Sequence, residues 1–175
     1  MTQKQQALIS ELINLLPQEQ KGVFQKIVDY FVELGYIPQK QNVHDFILSF
    51  KHKENGKVIS KMGVRGKAFI AIRFFACKSV PQKYMDALRH EFVPCDGQYS
   101  SRQKVNPVNT ITNRCNYCGD ICSGGGLGYY YKFADGQEVA RCGAYPIVIP
   151  DIVDADIEEM KKVILEQHNY FLSIA

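Results

Sequence analysis

The chain has 175 residues, of which 46% are hydrophobic and 22% are charged, and its formal net charge is +3 at pH 7. This composition excludes a disordered chain, and no run approaches the roughly 18 apolar residues that a transmembrane helix needs. The first residues are polar and lack the basic and then apolar segments of a signal peptide, so we expect a cytoplasmic protein with no membrane segment.

Two helices are predicted at the start of the chain. Apolar residues recur at helical spacing over residues 8–16 and again over residues 23–34, and Pro17 separates the two runs. Gly35 stands where a left-handed C-terminal cap belongs, and Pro38 keeps the second helix from continuing. The second helix is therefore predicted to end near Leu34.

A three-stranded antiparallel meander is predicted next. From His44 onward the hydrophobic period is two, up to a turn at Asn55-Gly56 in which both central residues favour positive φ. A strand over residues 57–64 returns from this turn. Residues 67–76 are apolar on both faces, which is typical of a central strand covered on two sides.

Two further helices are predicted. Ser79 is a suitable N-cap for a helix over residues 81–92, which has a proline in its first turn. Apolar residues at helical spacing over residues 157–171 predict a C-terminal helix, with Asp154 or Asp156 suited to its positive N-terminal end.

The segment between these helices predicts a loop and a second hairpin. Residues 94–114 contain Pro, Gly and Ser with few large aliphatic residues, which indicates a loop or a linker. Residues 129–133 and 138–142 predict antiparallel strands joined by a turn at Asp135-Gly136, and residues 144–149 are expected to extend the sheet.

Four of the six cysteines predict a metal site. Cys115 and Cys118 of the motif CNYCGDIC are separated by two residues, so a tight turn eased by Gly119 can present both sulfurs to one ion. Cys122 follows closely, and the predicted hairpin folds Cys142 back towards the motif. The four thiolates predict a closed, tetrahedral structural zinc site, because a catalytic zinc keeps one position open for water.

Other interpretations of these cysteines remain open. They could be unconnected buried thiols, a redox-active disulfide between Cys115 and Cys118, or the ligands of an iron–sulfur cluster. A reducing cytosol favours zinc over disulfides. Cys95, in a polar loop, could replace Cys122 as the fourth ligand, whereas Cys77 is expected to be a buried or half-buried small residue.

No catalytic residue is predicted. His44, His52, His90 and His168 occur singly, without an HExxH motif or a pair one helical turn apart, so we expect structural or solvent-exposed side chains. The glycine-rich run over residues 123–128 lacks the Lys-Ser/Thr ending of a phosphate-binding loop and precedes a strand, which favours a flexible connection.

Two groups of side chains are candidate contact surfaces. The aromatic block over residues 129–133 could stack bases or contact a partner, although its pattern favours the alternating core and surface positions of a hairpin. Basic residues also cluster, at Lys51, Lys53, Lys57, Lys61, Arg65, Lys67 and Arg73. Exposed lysines routinely solvate a sheet, and four thiolates on zinc would lower the net charge to about +1. A small ligand, a protein and a nucleic acid all remain open as partners.

Two resemblances accompany these patterns. Residues 17–92, with FILSFKHKENGKVISKMG and KAFIAIRFFA, resemble the small bacterial YdhG-like domain of unknown function. Members of that group have been connected with iron delivery, but no metal-binding residue of the group matches a position here, so that activity is not carried over. Residues 115–171, from CNYCGDIC through RCGAYPIVIP, are similar to the C-terminal part of bacterial proteins that have a cysteine cluster, a hairpin and no assigned activity.

We therefore expect a cytoplasmic bacterial protein of the α+β class. An α+β domain is predicted over residues 1–93, a loop or linker over residues 94–114, and a zinc-stabilised hairpin with a terminal helix over residues 115–175. The first functional hypothesis is a non-enzymatic binding or regulatory protein. The alternatives are a redox- or metal-responsive thiolate switch and an enzyme with a site involving Cys95 or His90.

Overall fold

A computed structural model describes residues 1–77, 80–90, 108–109, 114–115, 128–136, 138–142 and 146–174. Its helices are α1 (Gln3–Leu15), α2 (Gln18–Glu33), α3 (Gln82–His90) and α4 (Ile157–Ser173). Its strands are β1 (Tyr36–Lys40), β2 (Phe46–His52), β3 (Val58–Arg65), β4 (Lys67–Ile72), β5 (Val108–Asn109), β6 (Arg114–Cys115), β7 (Gly128–Lys132), β8 (Glu138–Cys142) and β9 (Ile147–Ile149). The α+β class is confirmed, and no helix of the described ranges is long and apolar enough to cross a membrane.

The chain forms two compact units. One consists of Met1–Ile72 together with Val148–Ala175, and the other of Arg73–Ile147. This division differs from the boundaries expected at residues 93 and 115. It places helix α4 in the first unit, because α4 contacts α2 and β3, and separates it from the cysteine motif.

A five-stranded sheet in the order β1-β2-β3-β4-β9 organises the first unit. The predicted meander corresponds to β2, β3 and β4, which pair antiparallel in sequence. Strand β1 was not predicted, because Pro38 was interpreted only as a helix breaker; proline is tolerated here because β1 is an edge strand. Strand β4 ends at Ile72, short of the expected residue 76, because a turn follows in which the Cys77 N–H donates to the Phe74 carbonyl (3.0 Å).

The turn between β2 and β3 is longer than the predicted two-residue turn. The His52 N–H donates to the Lys57 carbonyl (2.8 Å), and the Gly56 N–H donates to the His52 carbonyl (3.0 Å). Gly56 has a φ of +70°, whereas Asn55 does not have positive φ, so the expectation of two positive-φ residues was wrong. A four-residue loop needs only one left-handed residue at its end.

The core of the first unit lies between one face of the sheet and its helices. Alternate strand residues on this face, Leu48, Phe50, Met62, Ile70 and Ile72, are at most 1% exposed. Helix α2 covers this face, with the Phe31 ring 5.1 Å from the Phe50 ring, and α1 contacts β1, β2 and β3. The two predicted N-terminal helices are confirmed, as is the left-handed cap at Gly35 (φ +87°).

The second unit contains α3 and two short antiparallel strand pairs, β5 with β6 and β7 with β8. The predicted hairpin is confirmed as β7 and β8, with Gly136 at a φ of +84° and its N–H donating to the Phe133 carbonyl (2.9 Å). The rings of Phe74 and Tyr84, both buried, lie 6.1 Å apart. The predicted cap Ser79 and most of the predicted loop over residues 94–114 lie outside the described residues.

Candidate functional site

The backbone at two of the four predicted zinc ligands is described. Cys115 is the last residue of β6 and lies opposite Val108. Cys142 is the last residue of β8 and lies opposite Gly128, where the chain coming from the CNYCGDIC motif enters β7. The hairpin therefore returns Cys142 to the end of the hairpin that is nearest in sequence to the motif. Cys118 and Cys122 lie outside the described residues.

All six cysteines of the chain belong to the unit Arg73–Ile147, and the other unit contains none. Within the described ranges, no three His, Cys, Asp or Glu side chains lie close enough together to hold a metal ion. Because two of the four expected ligands lie outside those ranges, the zinc site stays a prediction.

The remaining cysteines fall outside the motif. Cys77 is 5% exposed and belongs to no disulfide, which agrees with the expectation of a buried small residue. Cys95 lies outside the described residues, and His90 is the last residue of α3.

The basic cluster is distributed along the sheet. Lys61, Arg65 and Lys67 lie on the face opposite the core residues, since Lys61 pairs with Ser49 and Arg65 pairs with Lys67 in the register. Arg65 Nε contacts Asp45 Oδ2 at 2.8 Å, so part of its charge is matched within the chain. This face is solvated only towards the β3–β4 turn, where Arg65 and Lys67 are exposed, because Ser49 and Ala71, the register neighbours of Lys61, are buried.

A second cluster of functional side chains lies in the first unit and was not predicted. Tyr36 at the start of β1 and His52 at the end of β2 are opposite each other in the register, and His168 of α4 packs on both. The ring centroids are 5.1 Å apart for Tyr36 and His52, 5.7 Å for Tyr36 and His168, and 5.5 Å for the two histidines. We call Tyr36, His52 and His168 the histidine–tyrosine cluster. Their exposed fractions are 0%, 5% and 8%.

Hydrogen bonds fix the orientation of the rings in the cluster. His168 Nδ1 lies 3.3 Å from the Tyr36 hydroxyl oxygen. His52 Nδ1 accepts long hydrogen bonds from the backbone N–H groups of Glu54 (3.4 Å) and Asn55 (3.5 Å). Because an accepting ring nitrogen carries no proton, this geometry selects a neutral His52 imidazole with its proton on Nε2.

Burial keeps the other two members of the cluster neutral. It raises the pKa of the Tyr36 hydroxyl, so the phenol does not ionise near neutral pH. Burial also lowers the pKa of His168 from its ordinary value of 6.5, and a positive charge on His52, whenever that ring is protonated, lowers the pKa of His168 further. The structure therefore holds three polar rings without a net charge.

The sequence pattern does not connect the four histidines, because His52 and His168 are separated by more than 100 residues. Each nevertheless occupies a core position in its own element. His52 continues the alternation of Leu48 and Phe50, and His168 follows Ile164 by one helical turn. Those periodicities were the available signal, but they do not show that the two core positions face each other.

The turn beside this cluster is tied to the end of α4. Asn55 Nδ2 donates to the Phe171 carbonyl (3.4 Å), and Asn55 Oδ1 accepts from the Lys57 N–H (3.0 Å). An open cavity of about 420 Å³ adjoins this contact, lined by Glu54, Asn55, Lys57, Leu172 and Ile174. Leu172 and Ile174 are 46% and 40% exposed.

Comparison with known proteins identifies no relative. No protein-family model, no curated protein and no solved structure matches the chain. The two resemblances drawn from the sequence therefore stay expectations, and the function must be argued from the residues themselves.

Proposed function

We propose that this chain is a non-enzymatic binding or regulatory protein in which Cys115, Cys118, Cys122 and Cys142 hold one structural zinc ion. The observation that supports the proposal most directly is the β7–β8 register, which places Cys142 opposite Gly128. Only the short glycine-rich segment of residues 123–127 separates Cys122 from Gly128 in the sequence, a length that allows Cys122 and Cys142 to bind one ion.

The distribution of cysteines supports a structural role for the metal. All six lie in the unit Arg73–Ile147, and each sheet formed by its described residues has two strands. Isolated two-stranded pairs are marginal in water, and small modules of this kind are commonly stabilised by a metal. Four thiolates complete the tetrahedral shell of zinc, so such an ion has no open position for a substrate.

Metal analysis of the purified native chain tests this proposal. We expect about one zinc per chain, and we expect Cys118→Ser and Cys142→Ser to lose it, because a structural site needs all four thiolates. Cys77→Ala is the matched control, since Cys77 lies outside the motif and is buried; its zinc content should equal that of the wild type.

The same measurement identifies the fourth ligand. Zinc lost in Cys122→Ser and kept in Cys95→Ser would support the proposed set, and the reverse result would replace Cys122 by Cys95. A native protein without metal, whose thiols all react rapidly, would contradict the zinc proposal. Iron with inorganic sulfide in place of zinc would redefine the site as an iron–sulfur cluster.

A further inference from the structure

We propose that the histidine–tyrosine cluster is an acid-sensitive contact: it holds the end of helix α4 and the β2–β3 turn on the sheet, and protonation of His168 releases both segments. This inference is independent of the zinc proposal. All of its residues lie in the unit formed by Met1–Ile72 and Val148–Ala175, which contains no cysteine.

The geometry of the cluster leaves no place for an added proton on His52 Nδ1, and beside His168 Nδ1 it places only a neutral phenol, with no carboxylate. His168 Nδ1 faces the Tyr36 hydroxyl at 3.3 Å, and His52 Nδ1 faces two backbone N–H groups, which are donors. A proton on His52 Nδ1 would therefore point at the donors of Glu54 and Asn55 and break both hydrogen bonds. A second positive ring would lie 5.5 Å away, centroid to centroid, in a site that is almost closed to water.

The charged groups on the neighbouring elements do not compensate such a cation. In the β2–β3 turn, the Lys53 and Glu54 side chains are exposed to solvent. Lys57 borders the adjacent cavity. On β1, Tyr36 contributes a neutral phenol, and on β3, Lys61 lies on the face opposite the core.

One acidic group of helix α2 and one of helix α4 interact with a lysine of α4 and do not shift the pKa of His168. The charges of Glu33 and Tyr30 of α2 raise the pKa of Lys161 of α4, and Lys161 also donates a hydrogen bond to Glu158. Lys161 lies about two turns before His168. Among the described residues, the one charged group that shifts the pKa of His168 is His52, and it opposes protonation. No carboxylate of these ranges raises the pKa of His168.

The direction of the pH effect follows from this environment. A histidine whose pKa is lowered by folding binds its proton more readily in the released state. The contact is therefore fully stable above pH about 6.5 and weakens as the pH falls from there towards the lowered pKa. For each proton taken up, the equilibrium constant for release rises by about tenfold per pH unit of acidification within that window.

Release would change a defined surface. The two segments are joined by the Asn55 contact to the Phe171 carbonyl, and the cavity lined by Leu172 and Ile174 lies between them. Freeing them removes the wall of this cavity and exposes Phe171, which is buried in the neutral state. Acidification thus exposes the apolar side chains at the end of helix α4, which are packed at neutral pH.

Amide hydrogen exchange of the full chain between pH 7.5 and 5, expressed as protection factors, tests the proposal. We expect protection over residues 52–57 and 165–174 to fall by about tenfold per pH unit below pH 6.5, while the centre of β3 keeps its protection. His168→Gln removes the titrating group and should flatten this dependence. His44→Gln is the matched control, because His44 is exposed in the same unit.

Proton NMR titration of the wild-type imidazoles keeps the test decisive if a variant fails to fold. His168 should titrate below its ordinary value of 6.5, together with the loss of protection. Protection that stays constant down to pH 5, or a His168→Gln chain with the pH dependence of the wild type, would overturn the proposal.

Discussion

Gly63 lies in β3 where the neighbouring strand leaves no room for a side chain. A Cβ added there would lie 2.3 Å from the Phe46 carbonyl oxygen and 2.9 Å from the Ile47 Cα. Both are backbone atoms of β2, so they cannot rotate away as a flexible side chain would. Relief would require β2 and β3 to separate at the point where they pair.

Gly63→Ala should therefore destabilise the protein, although alanine is otherwise better tolerated in a strand than glycine. We expect the free energy of unfolding to fall by about 1–3 kcal/mol, the usual cost of overpacking a closely packed site. Urea denaturation followed by far-ultraviolet circular dichroism measures this change.

The matched control is Gly22→Ala in helix α2. No atom lies within 4 Å of a Cβ at Gly22, and alanine favours the helix over glycine by about 0.5–1 kcal/mol. The two identical substitutions should thus have opposite signs. A neutral or stabilising Gly63→Ala would show that β2 and β3 do not approach as closely as described here.

At the level of elements, Asn55 connects the β2–β3 turn to the last turn of α4. Its side chain bonds both the Lys57 N–H and the Phe171 carbonyl. Asn55→Ala removes both hydrogen bonds and should cost about 1 kcal/mol in total, because partly exposed hydrogen bonds contribute modestly. Exchange protection should fall locally, over residues 168–174, and can be measured by mass spectrometry.

Asn42→Ala provides the control for this substitution. Asn42 is exposed in the segment between β1 and β2, so its replacement should leave the exchange of α4 unchanged. Equal effects of the two substitutions on α4 would mean that the Asn55 contact does not tie the turn to the helix.

The elements themselves were predictable to the extent that local patterns determine them. Helical spacing with Pro17 between the runs gave α1 and α2, and period-two alternation gave β2 to β4. Strand β1 was missed because the effect of Pro38 depends on whether its strand lies at the sheet edge, which is a tertiary property. The cluster of Tyr36, His52 and His168 was missed for the same reason, since three distant segments form it.

At the scale of the whole molecule, long-range contacts decide how the chain divides. Lys26 of α2 pairs with Asp154 at 2.5 Å, and α4 packs on α2 and β3, so the C-terminal helix belongs with the N-terminal segment. Sequence patterns grouped α4 with the cysteine motif because the two are neighbours in sequence. The segment Arg73–Ile147 is instead bracketed by the two parts of the other unit.

This division predicts how the protein responds to metal removal. If zinc is held as proposed, a strong chelator at neutral pH should raise amide exchange over residues 108–142 at least about tenfold, because metal binding there contributes directly to folding. The unit with β1 to β4 contains no cysteine and has its own core of fully buried side chains, so its protection factors should be unchanged. Readdition of zinc should restore the exchange pattern, whereas magnesium, a hard cation that prefers oxygen ligands, should not.

Unchanged exchange over residues 108–142 after the zinc has been lost would contradict a structural role for the metal. Simultaneous loss of protection in both units would instead show that they unfold as one.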